Sequence, residues 1–376
     1  MKSPVNHAAF RCATVILSAL LVIASLSMTG CSLLSLIPNR DPAPDDTTIL
    51  QPEDTDPSNS PETPPEDEPP EEDKPVLPSY YNPMTGLAAE TDLSLVRPVA
   101  ICIGNTASAF PQYGLRNAEI VMEAPIEEGA TKLIILTNSY AASPQLGAVG
   151  PTRAYLQSFA SAFGAVSVSA GISDKDPGKF SNEFPTIDYA RDGLTTVFYR
   201  TDELPNALFT SGTRLIGALE NFEKCGATMP CQFLPYGTSA PAGNEKASGV
   251  VIPYSDSHVT QFAYDNAKQS YVCVQNAAMK QTAEGDALSF TNLLLLTCES
   301  ALLNKVSGTE FELNTASGGS GYYASLGGYT EIIWSRNEEG ALVITNKNGS
   351  PISINRGNTY IGLIDLAESS SVLIVR

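Results

Sequence analysis

The segment from residue 38 to residue 78 most constrains what this chain can fold into, because it cannot join a hydrophobic core. It holds twelve prolines, and residues 41–73 hold thirteen aspartates or glutamates. So little apolar area cannot offset the loss of chain entropy, and the like charges repel one another. We therefore predict an acidic, proline-rich disordered tether over residues 31–80, with folded structure beginning after it.

The residues before the tether predict export and lipidation. A basic start is followed by an apolar run over residues 13–26 and by Met28-Thr29-Gly30-Cys31. The run is too short to cross a bilayer, and small residues before a cysteine indicate a secretion signal that ends in a lipobox. We expect residues 1–30 to be a lipoprotein signal peptide and Cys31 to be the lipidated first residue of the mature protein. The alternative is an uncleaved anchor with an incidental cysteine, since Leu is usual where Met28 stands.

These features give an expected location and a class of partner. We expect the protein on the extracytoplasmic face of the cell membrane, held by its lipid anchor, with a cell-envelope protein or a wall polymer as a further partner. The tether carries a charge of −11 and the start of the chain +2, which leaves −10 of the total −19 to residues 75–376. An acidic body lacks the basic footprint that nucleic acid needs, so nucleic acid is excluded as a partner.

The pattern after the tether predicts an α+β fold in two domains. About 300 residues remain, too many for one ordinary core, and a run rich in Gly, Ser, Ala and Pro over residues 237–248 marks a boundary. Residues 81–236 mix strand and helix patterns, so we expect a mixed α/β domain there. Residues 248–376 contain short alternating stretches between turn signals, which predicts an all-β domain.

Cysteine and histidine usage narrows the chemistry. Cys102 and Cys298 lie in apolar runs and are interpreted as small buried side chains. An exported protein permits a disulfide between Cys225 and Cys231, which flank a short loop. Cysteine and histidine show no metal-ligand spacing, so we expect neither a metal nor a cofactor. His258, the single histidine of the mature chain, is interpreted as an exposed residue in a turn between strands.

Acidic residues form the candidate polar site. Glu119 and Glu123 fall on one face of a predicted strand, Glu127 lies at the tip of the following hairpin, and Arg153 is a candidate counter-charge. Paired carboxylates can act as general acid and base when their environments split their pKa values. The preferred interpretation is structural, with Glu123 paired to Arg153 and the glutamates of the hairpin tip solvated.

Short motifs along the chain resemble those of the YerB-like lipoproteins, a bacterial family of unknown function. In the first half they are Arg97-Pro98-Val99-Ala100, Asn105, Pro111-Gln112, Gly114-Leu115, Ala118-Glu119-Ile120-Val121, Glu123-Ala124-Pro125, Glu127, Gly129 and Gly150-Pro151-Thr152-Arg153. In the second half they are Ile252-Pro253-Tyr254-Ser255, Tyr264-Asp265, Tyr271, Asn292, Gly321-Tyr322-Tyr323, Trp334 and Gly357-Asn358-Thr359-Tyr360-Ile361. The resemblance covers nearly all of residues 82–366 and implies the family's amino- and carboxy-terminal domains, but no activity.

This chain departs from the family pattern at several polar positions. The pattern favours Asp where Gly104 stands, Arg where Leu156 stands, Pro-His-Asn in place of Pro205-Asn206-Ala207, and His-x-Asp near residues 280–282. Two interpretations stay open. Either this member has lost a ligand-binding or catalytic role, or those residues were structural throughout.

Two functions are compatible with these observations. The preferred hypothesis is a membrane-anchored lipoprotein with a non-catalytic binding or accessory role in the cell envelope. Such a protein needs an open groove or an apolar patch without paired acids. The alternative is a carboxylate-dependent hydrolase acting on cell-wall glycan or peptide. It requires two carboxylates in one cleft, and the candidates are Glu119, Glu123, Glu127, Asp174 and Asp188.

Overall fold

The structure is a computed structural model that describes most of the chain after the tether. The described residues are 78–106, 109–172, 184–192, 195–221, 233–237, 239–302 and 311–376. Cys31, Cys225, Cys231 and Asp174 lie outside these ranges, so lipidation and the disulfide stay predictions. Within the described ranges, no helix has the length and apolar character that crossing a membrane requires.

The first half of the described chain combines strands with short helices. The helices are α1 (Ala154–Ser161), α2 (Tyr189–Asp192) and α3 (Gly212–Asn221). The strands are β1 (Tyr80–Tyr81), β2 (Ala88–Ala89), β3 (Val99–Gly104), β4 (Ile120–Pro125), β5 (Thr131–Thr137), β6 (Leu146–Gly147), β7 (Val166–Ser169), β8 (Thr186–Asp188) and β9 (Phe209–Thr210). Short 3-10 turns follow β4 (Glu127–Gly129) and β5 (Tyr140–Ala142).

In the described ranges of the second half, the regular elements are strands, apart from a 3-10 turn at Leu366–Ser371. The strands are β10 (Glu245–Lys246), β11 (Gly249–Ser255), β12 (His258–Asp265), β13 (Ser270–Gln275), β14 (Ala278–Met279), β15 (Ser289–Phe290), β16 (Asn292–Cys298), β17 (Ser300–Leu302), β18 (Phe311–Leu313), β19 (Gly319–Ser325), β20 (Gly328–Arg336), β21 (Leu342–Thr345), β22 (Thr359–Asp365) and β23 (Leu373–Val375). The fold is therefore β-rich, with its helices in the first half, as the α+β prediction requires in outline.

Both halves contribute to one large sheet. Among the described residues it contains eleven strands, in the order β10-β20-β19-β16-β22-β4-β5-β3-β7-β8, with β21 paired to β20. At the seam between the halves, β22 runs parallel to β4, so that Thr359 lies beside Ile120 and Gly362 beside Glu123. Strands β3, β7 and β8 are also parallel to one another, and their carboxyl ends therefore share one edge of the sheet.

Both faces of the large sheet are buried around β3 and β4. Along β3, the side chains of Ile101 and Ile103 join a cluster that includes strands of a second sheet, ordered β14-β13-β12-β11-β23 with β15 on β13. Ala100 and Cys102 point to the opposite face, which helix α1 covers. Burial on both sides explains why β3 is a continuous apolar run rather than an alternating one. Cys102 and Cys298 are buried free thiols, which confirms their sequence interpretation.

Candidate functional site

Glu123 lies between the two sheets at the centre of a buried hydrogen-bond network. Only 1% of the residue is exposed. Thr131 Oγ1 (2.7 Å) and Asn105 Nδ2 (2.9 Å) donate to its Oε1. Thr260 Oγ1 (2.9 Å) and the Tyr360 hydroxyl (2.8 Å) donate to its Oε2. These four donors replace the water that the carboxylate loses on burial.

His258 completes this network, and its sequence interpretation as an exposed residue is wrong. It is 6% exposed, and its Nε2 lies 2.8 Å from Glu123 Oε1. The residue begins β12, where strand alternation points His258, Thr260 and Phe262 towards the same interior. The sequence pattern does not predict this burial because turn residues directly precede His258, although the strand begins at His258 itself.

Lys280 joins the network through hydrogen bonds to Asn105 and Gln275. Its ammonium donates to Asn105 Oδ1 and to Gln275 Oε1, both at 2.8 Å, and burial lowers the pKa of Lys280. Burial alone would raise the pKa of Glu123. The hydrogen bond and charge of His258, with help from Thr131 and Lys280, outweigh that effect and hold the pKa below its usual range. Because Glu123, His258 and Lys280 are each at most 6% exposed, the network holds the sheets together and offers no surface to a substrate.

Arg153 pairs with Glu127, so the predicted pair between Glu123 and Arg153 is wrong. Arg153 Nη2 lies 2.6 Å from Glu127 Oε2, and the two side chains are only 11% and 7% exposed. The expectation that Glu127 is solvated is also wrong, because the hairpin tip is covered by the second sheet. There, Ser255 Oγ donates to the Gly129 carbonyl at 2.6 Å. Glu128, the neighbouring acid at the tip, is exposed.

Glu119 has a different set of partners. Asn82 Nδ2 donates to its Oε1 at 2.9 Å, and the Ser139 hydroxyl donates to the same oxygen. Its Oε2 is buried without a hydrogen-bond partner in the described part of the chain. Burial raises the pKa of Glu119 above its usual range, in contrast to Glu123 four residues later. The pKa values of Glu119, which directly precedes β4, and of Glu123, which lies within it, are thus shifted in opposite directions by their surroundings.

We expect Glu119→Gln to stabilise the protein at pH 7 by about 0.5–1 kcal/mol, by relieving part of the cost of a buried, incompletely bonded charge. An acid whose folded pKa is raised contributes stability below its unfolded value, here 4.5, and loses it as the pH rises through the folded value. The advantage of the glutamine variant should therefore shrink towards pH 4. Urea unfolding of both proteins at the two pH values measures this. A glutamine variant that is less stable than the unchanged protein by the same amount at both pH values would contradict this prediction.

A second candidate site is an open cavity of about 840 Å³ at the carboxyl ends of β3, β7 and β8. Gly104 ends β3, Ala170 follows β7, and Tyr189 follows β8. The carboxyl edge of parallel strands is where open α/β sheets bind their ligands. The polar and charged side chains around the cavity are those of Thr106, Lys132, Tyr189, Arg200, Glu203 and Asn206.

The floor of this cavity is held by backbone hydrogen bonds. Gly150 N donates to the Cys102 carbonyl at 2.8 Å, and Ala170 N donates to the Gly150 carbonyl at 3.0 Å. A Cβ at Gly150 would lie 3.1 Å from Lys132 Nζ, so the absent side chain leaves room for the ammonium. Gly104, Asn206 and Ala207, where this chain departs from the resembled family, also line the cavity.

The carboxylates proposed for a hydrolase have separate partners. Glu119, Glu123 and Glu127 are bonded as described above, and Asp188 accepts a hydrogen bond from Ser169 Oγ at 2.5 Å. Glu127 lines a smaller cavity of about 210 Å³, and none of the four lines the 840 Å³ cavity.

Most of the polar residues in these two sites are not predicted by the sequence pattern. The threonine partners of Glu123 can be found from strand periodicity. Thr131 lies two residues before Leu133, and Thr260 two residues before Phe262, so each threonine shares the inward-facing side of its strand with an apolar residue. A polar residue in such a position needs a buried partner. Lys132 carries no such signal, since a lysine near the start of a strand is ordinarily solvated.

The chain belongs to a two-part family whose members are described as protein of unknown function (DUF3048). Residues 84–224 match its N-terminal domain and residues 250–361 its C-terminal domain. The chain is 26% identical over 302 residues to the putative lipoprotein YerB of Bacillus subtilis (strain 168), a match that covers 77% of this chain and 88% of that relative. A crystal structure of the YerB protein from Bacillus subtilis has a TM-score of 0.68 at 22% identity and covers 79% of this chain and 99% of that one, which shows a shared fold. The resemblance to the YerB-like family is confirmed.

Proposed function

We propose that this chain is a lipid-anchored protein of the cell envelope that binds a small ligand in its 840 Å³ cavity without catalysing a reaction. The lipobox before Cys31 and the name of the YerB relative, a lipoprotein, support the anchor. The position of the cavity at the carboxyl ends of three parallel strands supports the binding role.

The observation that carries this proposal is the separation between the cavity and the buried acids. A retaining or inverting hydrolase needs two carboxylates facing one substrate. Glu123 is saturated by donors inside the core, and Glu127 is bound to Arg153. The cavity instead offers Lys132, whose ammonium has no hydrogen-bond or ion-pair partner within the described ranges. This distribution supports binding over hydrolysis.

We expect Cys31→Ser to move the protein from the membrane fraction to the medium or to leave it as an unprocessed precursor. The reason is that the thiol is the group a lipid would modify, and the lipid would attach the acidic chain to the membrane. Fractionation of cells and immunoblotting measure this, with Cys102→Ser as the control because that thiol is buried in the core. Mature protein that remains in the membrane fraction would contradict the anchor.

We expect Ala190→Trp to abolish ligand binding by filling the cavity. Ala190 is exposed and lines the cavity from helix α2, so the indole adds volume there without displacing the core. The full chain in detergent is incubated with a small-molecule extract of the cells that make it, and the compounds it retains are measured by mass spectrometry. The variant should retain at least about tenfold less of any cavity ligand.

The matched control is Ala267→Trp, which places the same side chain at an exposed position in the turn between β12 and β13. It should retain the same compounds as the unchanged protein. Equal retention by the protein and both variants would contradict the cavity as the binding site. A retained compound that is released in altered form would instead favour the hydrolase.

A further inference from the structure

We propose that the cavity takes a small ligand that carries a phosphate or carboxylate group, and that Lys132 and Arg200 bind this group. The inference rests on the proposed binding function, whose ligand it assigns to a chemical class. It is drawn from the charges and contacts of the lining residues.

Lys132 supplies the first reason. The residue is half-buried, and its Nζ lies over the backbone of Gly150 in the cavity wall. Within the part of the chain that the structure describes, the ammonium has neither a carboxylate nor a hydrogen-bond acceptor. An ammonium without a partner can pair with an anion, and a hydrogen bond between two charged groups is stronger than one between neutral groups.

The surroundings of Lys132 hold it in place for such a role. Gly150 is fixed by hydrogen bonds to the ends of β3 and β7, and a Cβ there would lie 3.1 Å from Nζ and 3.6 Å from Gly104 N. The absent side chain of Gly150 thus leaves an open space beside the ammonium. Because these hydrogen bonds tie Gly150 to β3 and to the residue that follows β7, the backbone beside Lys132 is positioned before any ligand arrives, which lowers the entropic cost of binding.

Arg200 places a second positive charge in the same cavity. Its Nη1 donates to the Pro205 carbonyl at 3.4 Å, and no ion pair joins it to Glu203 or to another described carboxylate. The charged residues of the lining are Lys132, Arg200 and Glu203, so the lining is net positive in a chain of net charge −19. A locally positive, concave surface attracts anions against the field of the acidic body.

The size of the cavity limits the ligand further. A volume of about 840 Å³ lies within the range that holds drug-sized molecules and is far larger than a single anion. Asn206 and Tyr189 add further donors and acceptors to the lining. The anionic group is therefore one end of a larger polar molecule.

The test titrates the full chain in detergent with inorganic phosphate and, separately, with succinate, at constant ionic strength maintained with chloride. Isothermal titration calorimetry reports affinity. We expect at least one anion to bind, Lys132→Met to weaken that binding at least about tenfold, and Lys132→Arg to keep most of it. Gly150→Ala, which crowds the ammonium, should also weaken binding.

Two matched controls separate the site from general effects. Lys246→Met removes an exposed lysine outside the cavity, and Gly217→Ala adds a methyl group in α3 where nothing lies within 4 Å. Both should bind within about twofold of the unchanged protein. Comparing phosphate with succinate distinguishes a phosphate-bearing ligand from a carboxylate-bearing one.

The outcomes distinguish this inference from the proposed function. If neither anion binds, or if Lys132→Met binds as well as the unchanged protein, the anion assignment is wrong. If the Ala190→Trp variant no longer retains an extract compound but the Lys132→Met variant still does, the cavity is a binding site for a different class of ligand. If no extract compound depends on the cavity, the proposed function fails, and the anion assignment fails with it.

Discussion

Glu123→Ala is expected to lower the free energy of unfolding by about 3–5 kcal/mol, the cost of removing one partner from a buried ionic network. The substitution leaves His258 and Lys280 without their carboxylate and removes the acceptor of four donors. Because the donors come from both halves of the chain, the loss should weaken the packing of the two sheets. Urea unfolding at pH 7 measures the difference.

The pH dependence gives an independent check on Glu123. Its folded pKa lies below the unfolded value of 4.5, so its contribution is fully present above that value and is lost as the pH falls through the folded pKa. The difference in free energy of unfolding between the unchanged protein and Glu123→Ala should therefore become smaller as the pH falls below 4.5. Glu338→Ala, at an exposed position, is the matched control and should change stability by less than about 0.5 kcal/mol. A Glu123→Ala protein as stable as this control would overturn the structural role of the network.

Arg153→Met is expected to cost about 2–3 kcal/mol, because it leaves the Glu127 carboxylate buried without its guanidinium. The expected loss is smaller than for Glu123→Ala because the pair of Arg153 and Glu127 lies nearer the surface and water can reach part of it. Both Arg153 Nε and Nη2 donate to Glu127 Oε2, at 3.1 and 2.6 Å, so the geometry is specific to arginine. Arg153→Lys should therefore recover only part of the loss.

A double-mutant cycle tests the partner of Arg153 directly. The double variant Arg153→Met with Glu127→Gln should lose at least about 0.5 kcal/mol less stability than the sum of the two single variants. The reason is that either single change already breaks the ion pair, so the other change has less left to remove. Combining Arg153→Met with Glu123→Ala should be additive, since no contact joins these two side chains in the described structure. The reverse pattern would restore the pair expected from sequence.

The sequence by itself determined the features that depend on neighbouring residues. The composition of residues 38–78 is incompatible with a core whatever follows it. The apolar run of β3 and the antiparallel pair β4 and β5, with its tip at Glu127–Gly129, follow from short apolar runs and turn residues. The motifs that indicated the family are also short and local.

Only the tertiary structure decided which distant residues meet. Glu123 and His258 are 135 residues apart, and they come together because β22 runs beside β4 and the second sheet packs across that seam. Arg153 meets Glu127 instead of Glu123 because the covered hairpin tip holds Glu127 against the residue that precedes α1. Strand periodicity shows which face a side chain lies on, but the order of strands in a sheet depends on long-range pairing that local patterns do not contain.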